Sequence, residues 1–295
     1  MKQSVAYGLF IFSLLITGAN GIIATNVALS SSEVVFMRTL IASIIMTLLF
    51  VLTKHRFTFW KNKRDFILIA LSGLSMGVCW IFLYQAYIEI GVSLATLGFY
   101  CGPILVMILS PLLFKERFTW VKVAGFIVVV AGFLLVNGIA TLSGASTFGL
   151  FCGAMSAVFY AALVILTKKV KVMTGIENPL FQFIFSFVAV AVFVFCTEGV
   201  GFIGTISGHD WILLLVLATV NTVLASTLYF TMIERISAQT ASILSYLELL
   251  SAVVYSILFL GEQLTLLQFI GGMCIIGGAV FATVYRSKKT PDKSL

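Results

Sequence analysis

The segment Ser237-Ala238-Gln239-Thr240-Ala241-Ser242-Ile243-Leu244-Ser245-Tyr246-Leu247-Glu248 opens an apolar run that continues to Leu260. About 20 apolar residues at 1.5 Å each span the ~30 Å of a bilayer's hydrocarbon, so the run predicts a transmembrane helix. Glu248 falls near its middle, where a charged carboxylate costs on the order of 3 kcal/mol. On a helix, Ser245, Ser251 and Tyr255 share its flank at i−3, i+3 and i+7. The acid therefore belongs to a polar stripe. Such a stripe needs an aqueous or protein partner elsewhere in the chain.

Composition agrees with a membrane setting. Of 295 residues, 61% are hydrophobic and only 10% charged, and the mean hydropathy is +1.14. A soluble domain carries about 25% charged residues, so this chain reads as an all-α polytopic membrane protein. The net charge of +7 does not indicate nucleic acid, because the basic residues sit in short loops and form no basic domain. Cys79, Cys101, Cys152, Cys196 and Cys274 lie singly within apolar runs, without a CxxC pair, and read as packing residues. His55 and His209 fall at predicted membrane edges, so neither a metal site nor a cofactor is expected. The run from Val5 to Ala24 exceeds a signal-peptide core and reads as a retained first helix.

Ten apolar runs are expected, at 5–26, 33–53, 66–88, 92–114, 119–138, 147–167, 179–197, 210–232, 237–260 and 265–285. Unbroken runs of this length in lipid mean helices, whose backbone groups are satisfied internally. With the N-terminus cytoplasmic, every Lys and Arg except Arg38 falls in a cytoplasmic segment, including Lys54 to Arg64, Lys115 to Lys122, Lys168 to Lys171 and Arg286 to Lys293. That alternation follows the positive-inside rule and places both termini in the cytoplasm of a plasma-membrane protein.

The chain also repeats itself. Leu83-Tyr84-Gln85-Ala86-Tyr87-Ile88-Glu89 matches Leu228-Tyr229-Phe230-Thr231-Met232-Ile233-Glu234 at an offset of 145. At an offset of 146, Thr96 pairs with Ser242, Tyr100 with Tyr246, Glu116 with Glu262, Gly125 with Gly271 and Gly132 with Gly278. Earlier, Glu33 and Arg38 align on Glu177 and Gln182. Five helices per half is an odd number, so the halves lie oppositely in the membrane, the signature of inverted-repeat transporters. The expected division is a first five-helix repeat at 1–138, a connecting loop at 139–146, an inverted repeat at 147–285 and a cytoplasmic tail at 286–295.

Two motifs carry a family resemblance: Phe114-Lys115-Glu116-Arg117-Phe118-Thr119 and Leu260-Gly261-Glu262-Gln263-Leu264-Thr265. With Tyr246-Leu247-Glu248, they make the chain similar to EamA-type members of the drug/metabolite transporter superfamily. Leu249-Leu250 stands where that family usually has Pro-Val, whereas the first half keeps Pro103. The resemblance implies a central cavity lined by helices 1, 3, 4, 6, 8 and 9, working by alternating access. It does not name a substrate.

Glu248 is the leading candidate, either as a site for an ammonium group or a proton or as an interhelical hydrogen-bonded acid. Trp80 and Tyr84 are candidate cavity residues that could equally belong to an interfacial aromatic belt. Asn20, Tyr100, Tyr160, Asn221, Ser245 and Tyr246 are candidate cavity residues or interhelical hydrogen bonds. Arg38, early in the second helix, is expected to snorkel and to form a structural or gating ion pair with Glu33. Small-residue positions Gly125, Gly132, Gly271, Gly272, Gly277 and Gly278 are expected to form close-packed seams.

The functional expectation is secondary active transport, as an exporter of small polar metabolites such as amino acids or amines, with H⁺ as a candidate second partner. A facilitative uniporter or exchanger is the alternative; an intramembrane enzyme or receptor fits less of the pattern. No Gly-x-x-x-x-Gly-Lys-Ser/Thr phosphate loop occurs. Oligomeric state is left open. The topology makes a direct prediction. A cysteine at Lys61 should resist an impermeant thiol reagent added outside intact cells, while one at Ser207 should react.

Overall fold

The computed structural model describes residues 3–54, 57–58, 60, 62–116, 118–137, 146–173, 175–197, 199–260 and 266–284. The described chain is helical: α1 (Gln3–Thr17), α2 (Asn20–Thr25), α3 (Ser31–Leu52), α4 (Lys63–Phe99), α5 (Cys101–Phe114), α6 (Trp120–Asn137), α7 (Thr147–Lys169), α8 (Glu177–Thr197), α9 (Gly208–Val216), α10 (Ala225–Ile233), α11 (Ala238–Leu260) and α12 (Leu266–Val284). A π-helical segment, Leu217–Leu224, joins α9 to α10. Among the described residues, six stretches are long and apolar enough to cross a membrane: Gln3–Ala24, Ser31–Leu52, Lys63–Ile90, Thr147–Lys169, Glu177–Thr197 and Gly208–Ile233. The expected tail at 286–295, Glu262 and most of the connecting loop lie outside the described residues.

Local chemistry sets the starts. Ser30 and Glu33 form a reciprocal capping box on α3, Asn62 accepts from the backbone N–H of Asp65 on α4, and Ser146 accepts from Gly149 on α7. Pro103 sits in the first turn of α5, where a missing N–H costs nothing.

The break expected between 88 and 92 falls inside α4. A straight helix of 37 residues would be about 56 Å long, well beyond a bilayer. The contacts with α7 show that the chain instead doubles back. Ser72 meets Thr167, the Cys79 thiol donates to the Ser156 carbonyl, and the Ser146 hydroxyl donates to Glu89, a descending order along α7. Gly98 then abuts Gly153 and Gly102 abuts Ala157, an ascending order. The direction reverses between Glu89 and Gly98.

Helices from the first half pack chiefly on helices from the second: α4 on α7 and α8, α6 on α12, α3 on α8 and the π segment, α1 on α10 and α11, and α5 on α7 and α11. Glycine permits the closest approaches. A Cβ on Gly125 would lie 2.8 Å from the Gly278 carbonyl oxygen, and one on Gly132 would lie 2.6 Å from that of Gly271. The seam expected of these four glycines is thus the α6–α12 interface. A Cβ added at Gly277, by contrast, would meet nothing within 4 Å.

Gly132→Leu should therefore force α6 from α12 and lower stability by about 1–3 kcal/mol, as overpacking does. Gly277→Leu should leave the thermal unfolding midpoint in detergent nearly unchanged.

Candidate polar site in the helix bundle

Tyr246 and Glu248 lie on different flanks of α11 and have different surroundings. Tyr246 is fully buried, and its hydroxyl donates to the Tyr100 carbonyl at 2.9 Å. Its ring lies 5.7 Å from that of Tyr100 and 5.3 Å from that of Phe133. This closed aromatic cluster ties α11 to α6 and to the end of α4. Tyr100 and Tyr246 are thus placed as packing residues, with the Tyr246 donor already committed.

Glu248 is half-buried and faces α1. The Thr17 hydroxyl, which donates to the Ser13 and Leu14 carbonyls at 3.2 and 3.0 Å, lies near its carboxylate, and Arg38 is within electrostatic range. Tyr87, Tyr100, Tyr160 and Tyr229 also feel its charge. The approach of α1 depends on Gly18, where a Cβ would lie 2.9 Å from the Glu248 carbonyl oxygen and on top of Ser251 Oγ. At Gly18 and Ala19 the helix is interrupted, and α2 restarts at Asn20.

At that interruption the Ile16 carbonyl accepts from the Ala19 backbone N–H at 3.1 Å and, on its second lone pair, from Asn221 Nδ2 at 2.9 Å. Asn221 belongs to the π segment, whose wider turn lets the Thr222 hydroxyl donate to the Leu217 carbonyl five residues back, at 2.8 Å. Such π insertions concentrate at functional sites. Thr222 in turn accepts from Arg38 Nε at 3.2 Å. Two helix defects therefore support one another and the arginine. Asn20 Oδ1 is buried and without a hydrogen-bond partner among the described residues, an acceptor aimed into the interior.

Arg38 departs from expectation. It is 6% exposed and does not snorkel. Its guanidinium lies 4.4 Å from the Trp80 ring centroid, with the Tyr84 hydroxyl nearby. A desolvated cation over a tryptophan gains roughly 2 kcal/mol, which offsets part of the burial cost. Glu33 does not reach it: the Glu33 carboxylate accepts the Ser30 backbone N–H at 2.7 Å to complete the α3 cap. The expected Arg38–Glu33 ion pair is replaced by an N-terminal cap and a buried cation–π contact. A carboxylate at N3 is satisfied locally before it can search for an arginine five residues away.

On the far side of the site, the Tyr160 hydroxyl lies 3.2 Å from both the Tyr229 hydroxyl and Ser245 Oγ. The structure thus gathers Arg38, Trp80 and Tyr84 at one end and Glu248 with Thr17 at the other, with the Tyr160–Tyr229–Ser245 hydroxyls within range of the carboxylate. Thr17, Thr222 and Tyr229 are additions to the residues expected from sequence. Tyr229 was recoverable, since it aligns with Tyr84 in the internal repeat; the threonines depend on helix breaks that apolar periodicity does not reveal.

Below α11, the helix N-terminus is capped from the first half: Glu116 accepts from the backbone N–H groups of Ala238 at 2.7 Å and Gln239 at 3.2 Å. A carboxylate here satisfies orphan donors and the positive end of the helix dipole. The Lys168 ammonium donates to the Ile233 carbonyl at 3.0 Å and to that of Ile236, closing the end of α10. Beside it, Glu234 accepts from Asn178 Nδ2 at 3.0 Å. Burial pushes the Glu234 carboxyl up to about 7, opposed by the Asn178 hydrogen bond and by Arg235 and Lys168. The α10–α11 turn is therefore held from both sides.

A multi-pass helical membrane protein with a polar, oppositely charged site in its interior is the class these features define. The chain belongs to the EamA-like transporter family, whose model matches residues 4–138 and again 147–284. It is similar to the uncharacterized transporter YxxF of Bacillus subtilis (strain 168), 24% identical over 291 residues that cover 98% of this chain and 92% of that protein. It is also similar to the uncharacterized transporter YetK of the same organism, 27% identical over 308 residues covering 99% and 90%. A crystal structure of a further protein shares the fold, with a TM-score of 0.78 at 17% identity, covering 96% of this chain and 99% of that one.

Glu234 yields a pH prediction. Its carboxyl is raised from an ordinary 4.5 to about 7 in the folded chain, so its protonated form favours the fold. That contribution is complete below about 4.5 and is lost as pH rises through about 7. The thermal unfolding midpoint of wild type relative to Glu234→Gln should fall between pH 5 and pH 8.

Proposed function

We propose that this protein is a secondary active carrier that exports small polar metabolites, such as amino acids or amines, by alternating access. The observation that carries this reading is the pairing of Arg38 and Glu248. They come from opposite halves of the chain and stand on one hydrogen-bonded unit: Arg38 donates to Thr222, the neighbouring Asn221 donates to the Ile16 carbonyl, and Gly18 packs on the Glu248 backbone. Among the described residues no direct ion pair joins them. Each charge is supported by neutral groups and remains able to meet a charge on a bound solute. A zwitterion fits both ends, its carboxylate toward Arg38 and its ammonium toward Glu248, with tyrosine hydroxyls and π faces beside the ammonium. A simple amine uses the Glu248 end alone.

The proposed architecture is ten membrane spans in two inverted five-helix repeats, 1–138 and 147–285, with both termini cytoplasmic in the plasma membrane. The packing supports it. Exchanging the two halves turns α1 on α10 into α7 on α4, and α1 on α11 into α7 on α5. The same exchange turns the Gly125–Gly278 approach into Gly271–Gly132. In this reading the Glu116 cap and the Lys168 latch close the cytoplasmic end, and breaking them opens the site inward.

Proton coupling through Glu248 is the finer proposal. An acid that binds either a proton or an ammonium exchanges one for the other across the cycle. In proteoliposomes loaded with a transported amino acid or amine, wild type should respond to an imposed pH gradient and Glu248→Gln should not. A full response in Glu248→Gln would remove the proton role. Counterflow without any gradient response in wild type would instead indicate a facilitative uniporter or exchanger.

A further inference from the structure

Away from the central site, α5 and α6 enclose a groove of about 440 Å³ lined by Met107, Ile108, Phe118, Trp120, Val123 and Phe126, with Thr119 its one polar residue. Its rim is unusually bare: Trp120 is 87% exposed, Phe118 52% and Ile108 56%. In a membrane-spanning chain such a face lies against lipid, and an apolar trough along two adjacent helices has the form of an acyl-chain slot.

The end of the groove has a different chemistry. It lies where the chain passes from α5 to α6, and that turn carries Lys115, exposed and in the left-handed region at φ 57°. In the first turn of α6 stands Lys122, whose ammonium among the described residues makes only a long contact of 3.5 Å to Ser237 Oγ. An ammonium has three donors, so Lys122 keeps capacity for an oxyanion. The apolar walls and the two lysines that flank the turn at their end, neither of them lining the groove itself, match a lipid with one chain in the slot and a negative head just beyond it. The walls alone would accept any phospholipid; the two lysines select an anionic one.

We propose that the α5–α6 groove is a binding site for an anionic phospholipid, with one acyl chain along Met107–Phe126 and the phosphate at Lys115 and Lys122. Occupancy reaches the central site through α11. Ser237 precedes α11 and its hydroxyl donates to Thr240 Oγ1 at 2.8 Å, so a lipid phosphate that draws Lys122 away alters the start of the helix that carries Glu248. Glu116, in the same turn as Lys115, caps that helix directly. The lipid site itself does not depend on the transport reading; only its influence on α11 does.

Trp120 is a built-in reporter. In vesicles of phosphatidylcholine and phosphatidylglycerol, one lipid at a time would carry brominated chains, and Trp120 quenching would be taken as the difference between wild type and Trp120→Phe. Brominated phosphatidylglycerol should quench Trp120 with several-fold higher apparent affinity than brominated phosphatidylcholine, about five-fold per lysine. Lys115→Asn, which tolerates the left-handed backbone, combined with Lys122→Gln should bring the ratio to one. Lys122→Arg should retain it. Equal quenching by the two lipids in wild type, or a preference that survives the double substitution, would overturn the proposal. Retained quenching by phosphatidylcholine in the double variant shows that the groove is still folded, separating lost selectivity from lost structure.

Discussion

Polar groups surrounded by hydrocarbon have to be satisfied by the protein itself, and that constraint organises the interior of this bundle. Arg38 is the most demanding of them. Its guanidinium rests on Trp80, donates to Thr222 and meets Tyr84. Thr222 is presented by a π-helical turn, and the neighbouring Asn221 is anchored on a carbonyl at the end of α1. That same helix end sets Thr17 beside Glu248. Removing either helix irregularity would leave a partner of one buried charge without support. The two defects are therefore parts of one hydrogen-bonded unit, spread over elements distant in sequence.

Close backbone approach is the second condition. Lipid gives helices little hydrophobic reason to associate, so van der Waals contact has to supply it. Gly18 brings α1 onto α11, Gly102 brings α5 against Tyr160 and Ala157, and the Gly125–Gly278 and Gly132–Gly271 pairs join α6 to α12. The first two border the polar site directly. Gly102 is where an added Cβ would lie 2.6 Å from the Tyr160 ring, which carries the hydroxyl shared with Tyr229 and Ser245. Packing and site geometry are thus set by the same small residues.

Much of this was readable in the chain, and the remainder was not for definite reasons. Apolar length located most helices within a few residues, because hydropathy reports burial in lipid directly. It missed the continuation of α4 through 88–92, since helical hydrogen bonding persists across that reversal. Glu248 stood out by cost alone. Arg38 was misplaced because its distance from the expected helix end suggested snorkelling, whereas its partners Trp80 and Thr222 lie 42 and 184 residues away. Tyr246, next to the key acid in sequence, turned out to be enclosed, because residues two apart on a helix point to different sides. The Glu116 motif was visible as a pattern, but its work as a cap on α11 required the tertiary structure.

The internal repeat finally separates what is shared between the halves from what is not. Tyr84 aligns with Tyr229 and Tyr100 with Tyr246, and both aligned pairs border the site or its supporting cluster. The charges have no such mates. Arg38 aligns with Gln182, which is fully buried and bonded to Asn178 and Thr167, and Glu248 aligns with Gly102, which is pressed against Tyr160. A site with both charges duplicated would present two equivalent orientations to a solute and would hold like charges near one another. One cation from the first half and one anion from the second give the interior a single electrical direction. In the proposed carrier, a dipolar solute would then bind in one sense only, and that sense would be preserved whichever end of the bundle was open.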